Sequence, residues 1–452
     1  MTTNTIHNAF VNALLADASY VDGLFAGQNL ANDPELQTRL TPDLAKYLSD
    51  NFEIVTQKLT SDLTDSGFDA TVWREKSTGQ IYVSMRGTEF SGYADLASDI
   101  DLTFSGLARD QVVSMVNWWL KSTAPTNALA AQIKVVTPFD FALLLAGHSV
   151  GSFAAAAPVL GDNTIPGANS VNVNGHSLGG HLATAFSRIF GSSLVSHTYT
   201  FNSATFNPLS PEKFEQIAAA LGTGTSAFPT AAQDTNFFAQ NGADVTTQNI
   251  TGGQIGFRIK LFNEESPVID LASLPNHYMY KLTDALALGN ALVKLDTTLT
   301  IDKLTTFLEA GSDKTIESIE KLFDGLRKAL AGPNVQALPF SDAGDSPEPR
   351  VTYHATLAAL QINPIFTQLA GKLKIELASN TLGATARTDF GAFIALQDLS
   401  PLYISGTDEA AQALLKSIWK ISRAEDYTAW EADQEPAIPT PVSDSWIADR
   451  AA

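Results

Sequence analysis

The sequence predicts an α/β fold with a mostly parallel central sheet, followed by a mostly helical C-terminal region. A β-α-β unit is the first observation behind this prediction, with a strand at 171–174, a helix over Leu178–Phe190 and a strand over Val195–Phe201. Gly191 follows the helix directly, as expected of a C-terminal cap. Beyond about residue 295 the strand patterns thin out and helical spacing dominates.

The other elements follow from apolar periodicity and from turn residues. Residues 5–60 predict helices, one of which begins at Thr41-Pro42-Asp43. Further helices are predicted over 112–120 and from near Tyr278 onwards. The predicted strands are 68–74 and Ile81–Met85 around a hairpin turn, then 133–136, Phe141–Leu145, 236–239 and 256–262.

The length of the chain predicts two units, because 452 residues and 48.2 kDa exceed what one hydrophobic core usually organises. We expect a catalytic domain over 1–290 and a mostly helical accessory region over 291–452. Four prolines lie within 331–350, which predicts a linker there.

Composition limits the class of protein. The formal charge of −20 and the pI of about 4.6 repel phosphate backbones, so nucleic acid is not an expected partner. Cysteine is absent, which excludes a thiolate nucleophile and disulfides. No transmembrane segment is expected, since apolar runs such as 141–146 and 154–160 are shorter than the ~20 residues of a membrane span. The first 15 residues show no Sec signal peptide.

Two Gly-x-Ser-x-Gly strings are candidates for a nucleophilic serine, one centred on Ser149 and one on Ser177. The motif supports catalysis only on a tight turn from a strand into a helix, where the flanking glycines relieve crowding. Ser177 has the strand, an extra Gly180, a long helix and a further strand. A helix after Ser149 would meet Pro158 in under three turns. Ser177 is therefore the predicted nucleophile of an α/β-hydrolase fold.

Acyl transfer places negative charge on the carbonyl oxygen, which preorganised hydrogen-bond donors must stabilise. The backbone N–H of Leu178 is one predicted oxyanion donor. A second donor usually comes from a loop after an earlier strand, and the strand Ile81–Met85 runs into Arg86-Gly87-Thr88.

The segment Val83-Ser84-Met85-Arg86-Gly87-Thr88, followed by Asp95, Asp99 and Gly175-His176-Ser177-Leu178-Gly179-Gly180, resembles the class 3 lipase family. Val116-Asn117-Trp118-Trp119 and the segments 174–186, 276–286 and 387–391 further resemble lipase-like modules at the head of secreted RTX-type bacterial proteins. This resemblance covers most of the chain and implies a secreted lipid or ester hydrolase. Glycine-rich calcium repeats are missing from the sequence.

The resemblance also assigns roles. It makes Thr88 the second oxyanion donor, although a threonine there could simply cap the loop. Asp95 and Asp99 match acidic residues after that loop, which brace the loop or cap a helix. A structural calcium ion at Asp95, Asp99 and Asp101 is the alternative, and catalysis itself requires no cofactor.

The general base should follow the last strand and return to the nucleophile. His277 fits this position, whereas His197 lies within a predicted strand and His354 lies beyond the linker. The triad acid should lie just past the strand that precedes the histidine-bearing one. Asp244 fits that position, and Asp270, Glu264 and Asp234 remain alternatives.

The predicted protein is a serine carboxylic ester hydrolase, a lipase or esterase, acting through Ser177, His277 and Asp244. The expected partner is a lipid or small ester, at a lipid–water interface if the apolar Phe104, Trp118, Trp119 and Leu120 form a lid or acyl groove. The alternative for these residues is a core helix. Phospholipase A and acyltransferase activities share the same residues, and a vestigial module of a secreted adhesin or scaffold is the rival from another class.

Overall fold

A computed structural model describes most of the chain. The described residues are 4–60, 67–87, 107–206, 210–224, 227–240, 253–262, 277–312, 318–332, 334–339, 348–378, 382–398 and 400–422. The chain divides into two compact units. The larger unit contains 11–260 and 269–282, and the smaller contains 1–10, 261–268 and 283–452. The division at residue 290 stays a prediction.

Up to residue 295 the chain contains a seven-stranded central sheet, a separate two-stranded sheet and several helices. The strands are β1 Phe52–Lys58, β2 Ala70–Glu75, β3 Ile81–Met85, β4 Leu129–Val135, β5 Phe153–Leu160, β6 Val171–His176, β7 Val195–Phe201, β8 Asp234–Ala239 and β9 Phe257–Leu261. The helices are α1 Asn4–Ala18, α2 Pro34–Leu40, α3 Pro42–Asn51, α4 Arg109–Thr123, α5 Phe141–Leu145, α6 Leu178–Phe190, α7 Ser210–Leu221 and α8 Met279–Leu295.

The central sheet has the order β1-β2-β3-β6-β7-β8-β9. Neighbours from β3 through β6 and β7 to β8 are parallel, while β1 and β2 add an antiparallel edge. Parallel neighbours require crossover helices, and α6 makes the crossover between β6 and β7. This is the α/β-hydrolase fold with a mostly parallel central sheet, as predicted.

The core of the larger unit lies between this sheet and the helices on its face. Val83 and Val173 from the sheet pack with Leu182 and Phe186 of α6 and Met115 of α4, and all five are at most 1% exposed. α6 is buried along nearly its whole length, from Leu178 to Arg188, because it lies between the sheet and α4. This packing fixes where α6 begins, and therefore where Ser177 lies.

Several predicted elements are corrected. The helices predicted over 5–60 end at Asn51, because residues 52–58 pair with β2 as strand β1. The predicted strand Phe141–Leu145 is a short helix, α5. After Ser149 the chain does not form a helix: residues 153–160 form β5, which pairs antiparallel with β4. α7 was not predicted.

The region after residue 295 is mostly helical, as predicted, but it also holds a two-stranded antiparallel sheet that was missed. Its strands are β10 Leu373–Leu377 and β11 Leu402–Gly406. Its helices are α9 Ile301–Ser312, α10 Ser318–Ala331, α11 Glu348–Ile362, α12 Pro364–Leu369, α13 Leu382–Thr385, α14 Phe390–Gln397 and α15 Glu409–Ser422. The predicted linker overlaps the first turn of α11, which contains Pro349.

An ion-paired cluster is buried in the smaller unit. The Asp284 carboxylate accepts hydrogen bonds from Arg350 Nε and Nη2 at 2.7 and 2.8 Å and lies 2.8 Å from His354 Nε2. Although burial opposes the charged form, Arg350 and His354 lower the pKa of Asp284 to about 2. His354 therefore has a structural partner, which agrees with its exclusion as the general base.

Candidate active site

Ser177 lies on a strained turn between β6 and α6. Its φ of 57° and ψ of −123° are rare for a residue with a Cβ, and the side chain is 2% exposed. The neighbouring glycines explain how the turn closes: a Cβ on Gly175 would clash with the carbonyl of Gly179, and one on Gly179 would clash with the carbonyl of Met85. A Cβ on Gly180 would lie 2.8 Å from Ser203 Cβ. The turn has the geometry of a nucleophile elbow.

The second Gly-x-Ser-x-Gly string has no such geometry. Ser149 is exposed and lies in a turn before β5, in the connection between two antiparallel strands. A Cβ on Gly147 would meet nothing within 4 Å, and one on Gly151 would meet only the flexible side chain of Arg109. The same five-letter pattern thus occurs once on an elbow and once on an open surface turn.

The loop after β3 reaches Ser177. A Cβ on Gly87 would lie 3.3 Å from Ser177 Cβ and 2.8 Å from the His176 carbonyl oxygen, so only glycine fits beside the elbow. Arg86 fixes the start of this loop through an ion pair with Asp22. Thr88 is the next residue and lies outside the described residues. Leu178 is the first residue of α6, where backbone N–H groups have no acceptor within the helix.

His277 lies beside the elbow. Its ring centroid is 4.7 Å from that of His176, the residue before Ser177. Its backbone carbonyl oxygen accepts two hydrogen bonds, one from His176 Nε2 at 2.7 Å and one from Asn202 Nδ2 at 3.1 Å. The side chain is 6% exposed. Two buried side chains, those of His176 and Asn202, therefore fix the main chain of His277.

A hydrogen-bonded chain joins the loop after β3 to His277. The His277 carbonyl can only accept, so His176 Nε2 carries a proton, and in the neutral imidazole His176 Nδ1 then accepts. The Tyr20 hydroxyl therefore donates to His176 Nδ1 at 2.9 Å, and its oxygen accepts from the Gly87 N–H at 3.2 Å. Burial raises the pKa of Tyr20 to about 12, so the hydroxyl keeps its proton at neutral pH.

Asn202 was missed by the sequence analysis although it organises this edge of the sheet. It follows β7, is fully buried and adopts a φ of 43°. Besides donating to His277, its Oδ1 accepts from the Ala239 N–H at 2.9 Å, at the end of β8. Asn202 thus connects the end of β8 with His277. The triad acid is expected to follow β8, and His277 is the predicted base.

The structure removes one of the four candidates for the triad acid, and the assignment of Asp244 stays a prediction. Asp244, Asp270 and Glu264 lie outside the described residues. Asp234 lies at the start of β8, opposite Thr198 in β7, and accepts a hydrogen bond from Thr184, two turns along α6 from Ser177. This is the end of the sheet away from the elbow. Asp234 is therefore excluded as the partner of His277.

The other histidines near the site have structural surroundings. His181 is fully buried on α6, stacks on Phe206 with centroids 4.0 Å apart, and has its pKa lowered to about 4 by burial. His197 lies in β7 next to Thr235, and burial lowers its pKa to about 4 as well. Both side chains are neutral at pH 7.

For Trp118 and Trp119 the packing favours the core alternative over a lid or acyl groove. Trp119 is 3% exposed and packs edge-on against Phe186 of α6, with ring centroids 5.0 Å apart. Trp118 is partly buried and lies 5.6 Å from Phe68. The two tryptophans belong to the packing between α4, α6 and the sheet, which is the core alternative. Phe104 lies outside the described residues.

Among the described residues, no three His, Asp or Glu side chains lie close enough together to hold a metal ion. Asp95, Asp99 and Asp101 lie outside them. No helix within the described part of the chain is both long and apolar enough to cross a membrane.

Fold and elbow together define an α/β-hydrolase. No protein-family model and no curated protein matches the sequence. Similar solved structures include the Lip2 lipase of Yarrowia lipolytica, with 11% identity, a TM-score of 0.32 and coverage of 60% of this chain and 83% of that one. A triacylglycerol lipase of Penicillium expansum has 14% identity, a TM-score of 0.28 and coverage of 58% and 81%. A lipase of Rhizopus microsporus var. chinensis has 12% identity and a TM-score of 0.28, and the match covers 67% of this chain and 87% of that one. At these values the likenesses carry no argument about the activity of this chain.

Proposed function

We propose that this chain is a serine carboxylic ester hydrolase of the lipase or esterase type. The elbow at Ser177 is the observation that carries the proposal. A serine held at φ 57° between a parallel strand and a helix, with three glycines that no other residue can replace, serves no evident packing purpose. Such strain is retained where it aims a nucleophile.

In the proposed mechanism, Ser177 Oγ attacks the acyl carbon while the His277 imidazole takes the hydroxyl proton. The oxyanion that forms accepts hydrogen bonds from the N–H of Leu178 and from Thr88. Collapse expels the alcohol, which takes the proton from His277, and leaves an acyl group on Ser177. Water then repeats the sequence and releases the acid. Asp244 is the proposed partner of the imidazolium form of His277.

Tyr20, His176 and Asn202 are proposed as positioning residues. None of them needs to touch the substrate, because each acts on the main chain of Gly87 or His277. A displacement of about 1 Å in a reacting group can cost about 100-fold in rate. A fixed His277 and a fixed loop after β3 would keep the base and the oxyanion donors in register with Ser177.

Ser177→Ala tests the proposal. We expect esterase activity on p-nitrophenyl esters to fall about 10³-fold or more, because only binding and oxyanion effects remain. Ser149→Ala is the matched control, since it changes the same motif on an open turn, and it should retain most activity. A fluorophosphonate probe should label the peptide that contains Ser177. Labelling of Ser149, or full activity in Ser177→Ala, would refute the assignment.

Product analysis separates the finer alternatives, which share all of these residues. Release of fatty acid from triacylglycerol or from short-chain esters supports a lipase or esterase. Release of fatty acid and lysolipid from phospholipids supports a phospholipase A, and transfer to an added alcohol supports an acyltransferase. A vestigial module would give no turnover and no labelling.

A further inference from the structure

The exposed large hydrophobic side chains of the described residues are concentrated in one place. Seven of the eleven lie between residues 129 and 160, in the β4–β5 hairpin. Four of these lie in residues 137–151, which we call the apolar tip: Phe139 is 84% exposed, Phe141 69%, Leu145 91% and Val150 57%. Soluble proteins rarely leave such a group of side chains uncovered, so the tip requires an explanation.

The backbone and two polar residues of the tip, Thr137 and Asp140, form hydrogen bonds within the hairpin. Its base is closed by the hydrogen bonds from Val136 N to Ser152 O and from Gly151 N to Val136 O, both 2.8 Å long. The Asp140 carboxylate accepts from the backbone N–H and the hydroxyl of Thr137 and pairs with Lys134. The apolar side chains of the tip therefore point outward from a closed, hydrogen-bonded loop.

Charge is also missing from this part of the chain. Residues 141–161 contain no Asp, Glu, Lys or Arg, whereas 17% of the whole chain is charged. The single charge within the tip, Asp140, is paired with Lys134. The tip can therefore enter a medium of low polarity without carrying an unpaired charge into it.

The tip lies at the same end of the larger unit as Ser177. Its last residue, Gly151, accepts a hydrogen bond from Arg109, the first residue of α4, at 3.2 Å. In the first turn of α4, the side chain of Gln111 lies next to Gly67, just before β2. β2 begins opposite Met85, where β3 ends beside the elbow.

We propose that the apolar tip docks on a zwitterionic phospholipid surface and holds the Ser177 end of the unit against it. Exposed apolar side chains bind a lipid–water boundary by burying their area in it. The net charge of −20 opposes an anionic membrane. The role of this docking in substrate supply rests on the proposed function, but docking itself does not.

A second copy of the chain is a weaker occupant. The four exposed side chains present roughly 500 Å² by their size, below the roughly 800 Å² per partner of a standard interface. Two copies would also bring two strongly acidic proteins together.

The test compares two triple variants of the full chain in sedimentation with phosphatidylcholine vesicles and in flotation with phosphatidylcholine-coated triolein droplets. Phe139→Ser/Phe141→Ser/Leu145→Ser should lower the partition coefficient at least 10-fold. The matched control Leu129→Ser/Val159→Ser/Leu160→Ser changes exposed hydrophobic residues at the opposite end of the same hairpin and should bind as the wild type does. Both variants should hydrolyse soluble p-nitrophenyl acetate at the wild-type rate, because neither changes the elbow.

A second measurement does not depend on the folding of the triple variants. Because the chain has no cysteine, Leu145→Cys and Leu160→Cys can each be labelled at a single site with an environment-sensitive dye. The Leu145 label should shift to the blue on addition of phosphatidylcholine vesicles, and the Leu160 label should not.

The proposal is overturned if the wild type does not bind either surface, if it binds only anionic vesicles, or if both triple variants lose binding equally. It is also overturned if the chain is a dimer that the tip variant alone converts to a monomer. Docking without hydrolysis of any ester would leave this inference standing and would refute the proposed function. Hydrolysis of soluble esters without docking would do the reverse.

Discussion

Asp234→Asn should change the pH dependence of stability. The Asp234 carboxyl is fully buried at the start of β8, where Oδ2 accepts a hydrogen bond from Thr184 at 3.2 Å. Within the described residues its Oδ1 has no hydrogen-bond partner and lies against Gly256, where a Cβ would be 2.5 Å away. Burial raises the pKa of Asp234 from 3.8 to about 8, against a smaller lowering effect of the hydrogen bond from Thr184.

The direction and size of the effect follow from the two pKa values. Between about pH 4 and pH 8 the folded chain holds a proton on Asp234 that the unfolded chain has lost, so the free energy of unfolding falls as pH rises through this window. The slope is at most about 1.4 kcal/mol per pH unit, and the loss above pH 8 is on the order of 5 kcal/mol. Asparagine can keep the bond to Thr184 and does not titrate, so the variant should lack this slope.

Urea unfolding followed by circular dichroism at a series of pH values from 4 to 9 measures this. Wild type and Asp234→Asn should have similar stability at pH 4, and the variant should become the more stable of the two as pH rises. Asp50→Asn is the control for the loss of one carboxylate, at a side chain that is 59% exposed. If the two pH profiles of wild type and Asp234→Asn are parallel, the carboxyl is not held neutral and the reasoning fails.

Two further predictions concern the site and the core. Tyr20→Phe removes the hydroxyl between Gly87 N and His176 Nδ1, so we expect kcat on a soluble ester to fall about 10- to 100-fold with little change in KM. Tyr47→Phe, which removes a partly buried phenol on α3, should not change kcat, and an equal loss in both variants would argue against positioning. Trp119→Ala should cost about 3–5 kcal/mol and lower Tm strongly, since the side chain packs on Phe186. An unchanged Tm with impaired emulsion hydrolysis would instead restore its lid role.

The central part of the fold could be predicted because local pattern and final structure agree there. Leu178–Phe190 and Val195–Phe201 have the bounds that the sequence analysis gave, since a glycine turn, a long apolar helix and a glycine cap mark them. Phe141–Leu145 was predicted wrongly, because a short apolar run carries no period that distinguishes helix from strand. Residues 52–58 were missed because their strand exists only through pairing with β2.

The candidate site likewise contains residues that the sequence predicts and residues that it does not. Ser177 follows from its own neighbours, and the structure gives it the expected elbow. Tyr20 and Asn202 act through contacts with residues 156 and 75 positions away, respectively, and nothing in their local sequence indicates either role. The contact of His176 with the main chain of His277 likewise spans 101 positions and leaves no local sequence pattern.

Asn202 has a consequence for how this protein could be re-engineered. One amide holds both the end of β8 and the carbonyl of His277, so the two ends of the intervening chain are tied to a single side chain. The length and sequence of segments 241–252 and 263–276 could then be varied, with Asp244 retained as the proposed acid and His277 still returned to the same place. Asn202→Asp would keep the acceptor for the Ala239 N–H but remove the donor to the His277 carbonyl, so the side chain would hold only the end of β8. Libraries that diversify these segments for new ester substrates should therefore keep Asn202 fixed.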